Sequence, residues 1–307
     1  LFCDNNIDFI PFKGILVRGY YTVPQLRSFG DIDIIIRESD RTKCHKLMLD
    51  NGYEAEVDYG SVYSYRKGIE YYEIHTDIML VNITERADYK KYFKQMWNYA
   101  EVYSKNEYRF TPEFNFIYLI SHIAKHIYSC GAGIRMYLDI AFIIKSIGES
   151  LDWSIIFTEL KKIKLDNFLY VVLNSVKKWF GVSASYDIPQ TDNSILEDFR
   201  QFTMNSGVFG YDGITDAEAV MRQANNQNSS GARILALIYI LFPPIDRLVD
   251  RYKYLEKYPV LLPFTWIQRL ILNFKLIGKK TKQVGGIIAA DNKEISELNV
   301  LYKNIGL

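Results

Sequence analysis

The spacing of the hydrophobic residues changes near residue 110, and this change constrains the fold more than any other feature of the chain. Before it, short apolar runs are separated by glycines and charged residues, as in strands joined by turns. Thr111-Pro112 is typical of a helix start, and after it apolar residues recur about every three or four positions, as on one face of a helix. We therefore predict two domains, an α/β domain over residues 1–108 and a helical domain over residues 109–307.

The first part of the chain has the pattern of an α+β unit. Helices are predicted over residues 15–21 and, after Ser39-Asp40 as a cap, up to Gly52. Lys67-Gly68 has the composition of a tight hairpin turn. The order β-α-β-α-β-β-β predicts an α+β fold around a mixed or mostly antiparallel sheet. The predicted strands cover residues 7–12, 31–36, 53–57, 61–66 and 69–80. The later predicted helices cover residues 134–147, 153–163, 167–180, 194–203, 231–241 and 266–276.

The charges are balanced overall but unevenly distributed. The 307 residues include 37 Lys and Arg against 36 Asp and Glu, for a formal net charge of +1. Such a chain has no global positive field, so nucleic acid or another polyanion would need a local basic patch. Residues 1–108 carry 14 basic and 17 acidic residues, and residues 109–307 carry 23 and 19. The predicted sheet domain is therefore net acidic and the predicted helical domain net basic.

The cysteines and the apolar runs indicate the cellular compartment of the protein. Cys3, Cys44 and Cys130 lie far apart without a CxxC pair, which argues against a disulfide framework or a thiolate zinc site and favours a reducing cytosol. The longest apolar run, residues 232–242, is interrupted by Arg233 and is too short to span a bilayer. We predict a cytoplasmic protein without stable membrane insertion.

Acidic residues mark one face of a predicted buried strand. Asp31 and Asp33 share that face because side chains alternate along a strand, whereas Ile32 and Ile34 point into the core. Two adjacent carboxylates repel each other unless a divalent cation neutralises them, and paired Asp oxygens suit Mg²⁺ or Mn²⁺. A solvated strand end is the alternative, but an apolar strand with acids on one face beside Gly30 favours a metal site.

A later strand supplies a candidate for a third carboxylate. Glu73 and His75 share one face of the predicted strand, and Glu73 would lie over the same metal if this strand were adjacent to the first. Asp77 shares that face and is the second choice, whereas Glu70 falls on the other face. We prefer Glu73.

Lys13-Gly14 lies between the first predicted strand and the first predicted helix. Free amide groups at a helix N-terminus bind phosphate, and Gly14 would let a ligand approach the backbone closely. A simple strand-to-helix turn is the alternative. Together with the acids, the motif predicts one site, with phosphates at Gly14, metal at the Asp pair, and Lys13 or Arg27 compensating the charge.

Two polar pairs in the helical part have the spacing of one helical turn. His122 and His126 form the first pair, and Arg135 and Asp139 form the second on the next helix. Two histidines so placed can bind zinc, with Asp139 as a third ligand, so a metal-dependent hydrolase is one hypothesis. Simple packing of the histidines is the alternative.

A segment near the C-terminus is basic. Between Glu256 and Asp291 there is no acidic residue, while several Lys and Arg occur. This segment would suit an anionic acceptor, RNA or a membrane surface. The charge density is modest, which favours a docking helix over residues 266–276 followed by a solvated basic stretch.

Several motifs occur in a fixed order along the chain. The N-terminal ones are FKGILVRGYY, RSFGDIDIII and EIHTDI; the later ones include His122-x3-His126, Gly133-Ile-Arg135 and Leu138-Asp139. Together they resemble the nucleotidyltransferase domain of the DNA polymerase β superfamily. They are most similar to a bacterial family of poorly characterised nucleotidyltransferases with a KG motif and an R-x-x-G-D-[IL]-D core. The resemblance implies a polymerase-β-like sheet domain with a C-terminal helical domain.

The same resemblance implies an enzyme that uses two Mg²⁺ or Mn²⁺ ions. Asp31 and Asp33 would hold metal on the phosphates of a nucleoside triphosphate (NTP), and Glu73 would complete the site or help deprotonate the acceptor. The products would be a nucleotidylated acceptor and pyrophosphate. The implied nucleotide-binding residues are Lys13, Gly14, Arg27, Gly30, His126 and Arg135. The implied supporting residues are His75, His122 and Asp139, with Asp139 orienting Arg135.

One departure from the superfamily pattern bears on activity. Ile15 follows Gly14 where the superfamily usually has Ser or Gly, so a hydroxyl contact to phosphate is missing. A catalytically inactive nucleotide- or partner-binding module on the same fold is therefore the alternative to an enzyme. No motif identifies the base, and the acceptor stays open between a small molecule, a protein and RNA.

Overall fold

The described part of the chain combines a mixed β-sheet with a series of helices. The computed structural model describes residues 1–28, 30–129, 131–206, 238, 242–245, 248–249, 251–272 and 292–307. The sheet has seven strands within these residues, in the spatial order β3-β4-β5-β2-β1-β7-β6. β2 pairs in parallel with β5, β1 pairs in parallel with β7, and the other pairings are antiparallel. The strands are β1 (Phe9–Pro11), β2 (Ile32–Ile36), β3 (Glu54–Val57), β4 (Val62–Lys67), β5 (Glu70–His75), β6 (Ala100–Ser104) and β7 (Glu107–Phe110).

Helices connect the first strands and dominate the described residues after Phe110. Thr111 begins the first long helix as predicted, because its hydroxyl accepts a hydrogen bond from the amide of Phe114. The α+β fold predicted from the sequence is therefore confirmed. The helices are α1 (Gly14–Val17), α2 (Arg41–Asp50), α3 (Tyr89–Phe93), α4 (Pro112–Ser129), α5 (Ile134–Ile147), α6 (Trp153–Lys162), α7 (Asp166–Phe180), α8 (Asn193–Asn205), α9 (Tyr254–Lys257), α10 (Leu262–Leu272) and α11 (Asn292–Ile305).

The two faces of the central strands have different partners. Ile34 and Ile74 are opposite each other in the β2–β5 pairing, and both are buried in a core cluster with Cys44 and Met48 of α2. Because side chains alternate, Asp33 and its neighbour Glu73 point to the opposite face. The apolar cluster on α2 thus fixes which face carries the acids.

Helix α4 covers part of the acidic face. Phe12, which follows β1, packs edge-on against His75 with ring centroids 4.9 Å apart. It also contacts Tyr118 of α4, with centroids 5.6 Å apart. Phe12 and Tyr118 are almost fully buried. The acids of β2 and β5 are therefore bounded by aromatic side chains.

Several local expectations differ from the structure. The hairpin of β6 and β7 was not predicted, because every residue from Glu101 to Ser104 is exposed and shows no alternation of burial. The predicted helix over residues 15–21 is a short α-helix continued by the 3₁₀ turn Arg18–Tyr20. Asp40 does not cap α2 with its side chain, because a 3₁₀ turn precedes the helix instead. The predicted strand over residues 69–80 ends at His75.

The chain divides into two compact units. The first contains residues 1–124, 135–196 and Gly306, and the second contains residues 125–134, 197–305 and Leu307. The boundary predicted between residues 108 and 109 lies near the change from sheet to helices. That it also separates two domains stays a prediction. The helix predicted over residues 231–241 lies outside the described residues except for Ile238, and so does most of the basic segment. Within the described residues, no helix is long and apolar enough to cross a membrane.

Candidate active site

Two carboxylates and an imidazole meet on adjacent strands. The parallel pairing of β2 and β5 sets Asp33 directly beside Glu73. One oxygen from each carboxylate and one ring nitrogen of His75 lie within 4.8 Å of one another. The Nε2 atom of His75 is 2.9 Å from Oδ1 of Asp33 and 3.5 Å from Oε2 of Glu73. The side chain of Asp33 is 3% exposed and that of Glu73 is 27% exposed, so the group opens to solvent on the Glu73 side.

A serine that the sequence did not single out completes this row of residues. Ser64 of β4 lies opposite Glu73 in the antiparallel pairing and therefore on the same face of the sheet. It is 3% exposed, and its hydroxyl has no hydrogen-bond partner among the described residues. Buried hydroxyls are normally paired, so an unpaired one beside the carboxylate of Glu73 fits a ligand or an ordered water at this place. The sequence signal was available, since Ser64 is the polar position between Tyr63 and Tyr65.

Lys13 reaches the same carboxylate from the turn after β1. Its Nζ atom is 2.6 Å from Oδ1 of Asp33. The backbone at Lys13 has φ 55° and ψ −132°, a conformation that residues with a Cβ rarely adopt. Burial alone would lower the pKa of Lys13, but the ionised forms of Tyr118, Asp33 and Glu73 raise it above its ordinary value. The ammonium is therefore charged at neutral pH and is held at Asp33.

The two aspartates of the motif have opposite electrostatic environments. Burial and the neighbouring charges of Asp33 and Glu73 raise the pKa of Asp31, although Lys13 opposes this effect. Burial would also raise the pKa of Asp33, but the hydrogen bond from His75 and the charge of Lys13 outweigh it and lower the pKa. Asp31 thus lies in the field of the same groups, although its oxygens are not part of the group within 4.8 Å.

A buried ion pair lies behind the loop that leads to Asp31. Asp139 of α5 accepts two hydrogen bonds from Arg27, from Nε at 2.8 Å and from Nη2 at 2.7 Å. Oδ1 of Asp139 also accepts a hydrogen bond from the hydroxyl of Tyr21, with an oxygen–oxygen distance of 2.6 Å. Arg27 and Arg135 both donate to the carbonyl of Ser28, at 2.5 and 3.2 Å. The contacts of Asp139 with Arg27 and Tyr21 were not anticipated, since the spacing on α5 had indicated Arg135 as its partner.

Tyr118 is a further residue that the helical pattern did not distinguish from core residues. It is 1% exposed, and its ring lies within contact distance of His122, with centroids 5.6 Å apart. Burial raises the pKa of its hydroxyl, with Lys13 acting against this shift and Asp33 adding to it. The phenol therefore lies within the electrostatic field of the ammonium and the carboxylates.

The structure describes the surroundings of the other candidates. Gly14 is buried as the first residue of α1, and Gly30 is exposed, with open space where a Cβ would be. Asp77 accepts the amide of Met79 at 3.2 Å and is not in the metal-compatible group, whereas Glu73 is. His126 belongs to α4 but to the second compact unit. Among the described residues, the metal-compatible group does not include His122, His126 or Asp139.

The mixed sheet thus carries acids on two neighbouring parallel strands, and Lys13 of the Lys-Gly turn reaches one of them. The family model described as uncharacterised nucleotidyltransferase matches residues 1–181, which is more than half of the chain. The chain belongs to this family, as the sequence motifs indicated. Comparison with curated proteins and with solved structures finds no match.

Proposed function

We propose that this protein transfers a nucleoside monophosphate from a nucleoside triphosphate to an acceptor nucleophile and releases pyrophosphate. The observation that carries the proposal is the group formed by Asp33, Glu73 and His75, with Asp31 immediately before β2. Membership of the nucleotidyltransferase family supports the reaction class. The base and the acceptor, whether a small molecule, a protein or RNA, stay open.

The donor atoms of the group suit a divalent cation. Asp31, Asp33 and Glu73 provide carboxylate oxygens, which Mg²⁺ and Mn²⁺ prefer. The unpaired buried hydroxyl of Ser64 also fits a hydrated ion or an ordered water near Glu73. His75 has two possible roles, because Nε2 can donate to Asp33 or, as a neutral lone pair, bind the ion. We assign Mg²⁺ or Mn²⁺ to this site.

Each residue has a distinct role in the proposed reaction. The bound cations would neutralise the triphosphate and the developing charge on its oxygens. Asp31 and Asp33 would hold them, and Lys13, Arg135 and the backbone at Gly14 and Gly30 would bind the phosphates. The acceptor oxygen forms a bond to the α-phosphorus as the bond to the bridging oxygen breaks and pyrophosphate leaves. Glu73, the most exposed member of the group, would accept the proton of the acceptor hydroxyl.

The proposal is tested by incubating the protein with each of the four labelled ribonucleoside triphosphates, Mg²⁺ and candidate acceptors. We expect pyrophosphate release and labelled acceptor with the wild-type chain. Asp31→Asn and Asp33→Asn should each lose activity by about a thousandfold or more, because a ligand of the cations is lost. Asp50→Asn is the matched control, since Asp50 is 61% exposed on α2 and faces Lys46.

Two outcomes would contradict the assignment. Unchanged transfer in both aspartate variants would show that Asp31 and Asp33 are not catalytic. Stabilisation of the fold by a triphosphate and Mg²⁺, without any pyrophosphate release, would favour the inactive binding module to which Ile15 after Gly14 points.

A further inference from the structure

Asp33 is shared between a lysine and the candidate metal site. The Oδ1 atom that lies 2.6 Å from Nζ of Lys13 is the same atom that lies 2.9 Å from Nε2 of His75. It belongs to the carboxylate that forms part of the metal-compatible group with Glu73. A cation bound to this oxygen would therefore have an ammonium group next to it.

Two cations at one carboxylate oxygen repel each other strongly. The repulsion is greatest where water is scarce, and the side chain of Asp33 is only 3% exposed. The side chain of Lys13 is 19% exposed against 3% for Asp33, so the lysine is the less enclosed of the two partners. Binding of a divalent ion to Oδ1 of Asp33 is therefore opposed by the ammonium of Lys13 in its present place.

The backbone at Lys13 indicates that the lysine is held at this position against a local cost. A φ of 55° and a ψ of −132° suit glycine, yet the residue is Lys. The carbonyl of Lys13 accepts the amides of Leu16 and Val17, which fixes the turn whichever way the side chain points. The ammonium can therefore change partners without a change in the turn.

We propose that Lys13 competes with a divalent cation for Asp33, so that the nucleotide-free chain binds metal weakly and tight binding requires an anion that receives the ammonium. Resting on the proposed function, we take this anion to be the triphosphate that the neighbouring Gly14 would approach. Metal and nucleotide then enter the site together, and Lys13 exchanges a carboxylate for a phosphate.

The test is the binding of Mn²⁺, followed by the loss of its free electron paramagnetic resonance signal. Wild type, Lys13→Met and Lys13→Gly are titrated with Mn²⁺ alone and then with Mn²⁺ complexed to an α,β-methylene triphosphate. Both variants should bind Mn²⁺ alone about tenfold more tightly and the Mn²⁺–nucleotide complex about tenfold more weakly, since one adjacent charge is removed in each case. Lys13→Gly keeps the positive φ unstrained, so it provides a variant expected to fold.

Two controls define where the metal binds. Lys46→Met removes an equal charge from a side chain that is 80% exposed on α2, and it should change neither affinity. Adding Asp33→Asn to wild type and to Lys13→Met should weaken Mn²⁺ binding in both and remove the difference in affinity between them.

The affinities of the Lys13 variants decide whether the lysine competes with the metal for Asp33. Equal or weaker binding of Mn²⁺ alone by both Lys13 variants would overturn the competition. Tighter binding of both Mn²⁺ and the Mn²⁺–nucleotide complex would also overturn it, because Lys13 would then act only as a nearby positive charge. If wild type binds no nucleotide complex but the variants still bind Mn²⁺ more tightly, the competition holds and the proposed nucleotidyl transfer fails.

Discussion

Asp31 and Asp33 lie two residues apart, yet their surroundings act on the two charges in opposite directions. Asp33 is neutralised by Lys13 and hydrogen-bonded by His75, and its pKa is lowered. Asp31 is partly buried near two other carboxylates, and its pKa is raised. The negative charge of Asp31 is thus unfavourable in the fold but suited to binding a cation. Functional sites commonly contain such charges, because binding there is gained at the expense of the stability of the fold.

We expect opposite stability changes in the corresponding amides. Asp31→Asn should raise the midpoint of thermal unfolding at neutral pH. The raised pKa of Asp31 means that the fold disfavours the ionised carboxylate. The side chain therefore contributes stability below its ordinary pKa and loses this contribution as pH rises. Asp33→Asn should lower the unfolding free energy by about 3 kcal/mol, because Lys13 loses its buried partner. Below the ordinary pKa of 3.8, Asp31→Asn should no longer be more stable than wild type. The lower stability of Asp33→Asn relative to wild type should disappear as pH falls through the lowered pKa of Asp33.

Melting curves of wild type and both variants from neutral to acidic pH measure these effects. Destabilisation by Asp31→Asn at neutral pH would show that its carboxylate is paired in the fold rather than repelled. Stability of Asp33→Asn equal to that of wild type would show that the contact with Lys13 contributes nothing.

Sequence reasoning located the acids but not their partners. The two-residue period of a strand is a local rule, and it predicted that Asp31 shares a face with Asp33 and that Glu73 shares a face with His75. That Asp33 lies beside Glu73 depends on the pairing of β2 with β5. The pairing of Lys13 with Asp33 depends on an uncommon backbone conformation at residue 13, which no spacing rule predicts. The position of Ser64 on the same face as the acids depends on the spatial order of the three strands β4, β5 and β2.

At the level of elements, α5 is tied to the loop before β2 by one carboxylate. Asp139 is 6% exposed and receives donors from Arg27 and Tyr21, while Arg27 also holds the carbonyl of Ser28. Burial and the hydrogen bond to Asp139 raise the pKa of Tyr21, so the phenol stays a donor at neutral pH. The loop that carries Asp31 is therefore positioned by a helix more than a hundred residues away in the chain.

Asp139→Ala should reduce both stability and transfer. Leaving the guanidinium of Arg27 and the phenol of Tyr21 without their acceptor should cost about 3 kcal/mol. Transfer should fall mainly in kcat, because Asp31 loses its fixed position, and Asp139→Asn should give intermediate values for both. Urea unfolding and steady-state kinetics of the folded fraction measure the two effects.

Asp152→Ala is the matched control for this experiment. Asp152 caps α6 by accepting the amide of Ile155, so its removal should cost about 1 kcal/mol without a change in kcat. Full kcat in Asp139→Ala would show that the ion pair only stabilises the fold.

The strand that was not predicted is one whose side chains are mostly exposed on both faces. β6 is exposed from Glu101 to Ser104 and pairs only with β7 in the described sheet, so it lacks the alternation by which a strand is recognised. The start of α4 and the bounds of α5, α6 and α7 were predicted within a few residues, since each helix buries an apolar face with a clear helical period.

At the level of the whole molecule, sheet and helices are joined more closely than the change of period indicates. The first compact unit continues through α4 up to Ala124 and includes residues 135–196, and the family match extends to residue 181. The acids lie on strands before residue 108, but the aromatic cover of their face comes from α4. The change of period marks a change of secondary structure, and whether it is also a folding boundary is open to experiment.

We expect the fragment of residues 1–108 not to unfold cooperatively, whereas residues 1–196 should. Phe12 and Phe93 are fully buried and contact Tyr118 of α4, with ring centroids 5.6 and 5.9 Å away. Exposing each phenylalanine costs about 1.5–3 kcal/mol, a large share of the stability of a small domain. Urea titrations followed by circular dichroism, with a dye that binds exposed apolar surface, compare the two fragments. Cooperative unfolding of residues 1–108 would establish the sheet as an independent domain and leave α4 as an addition to it.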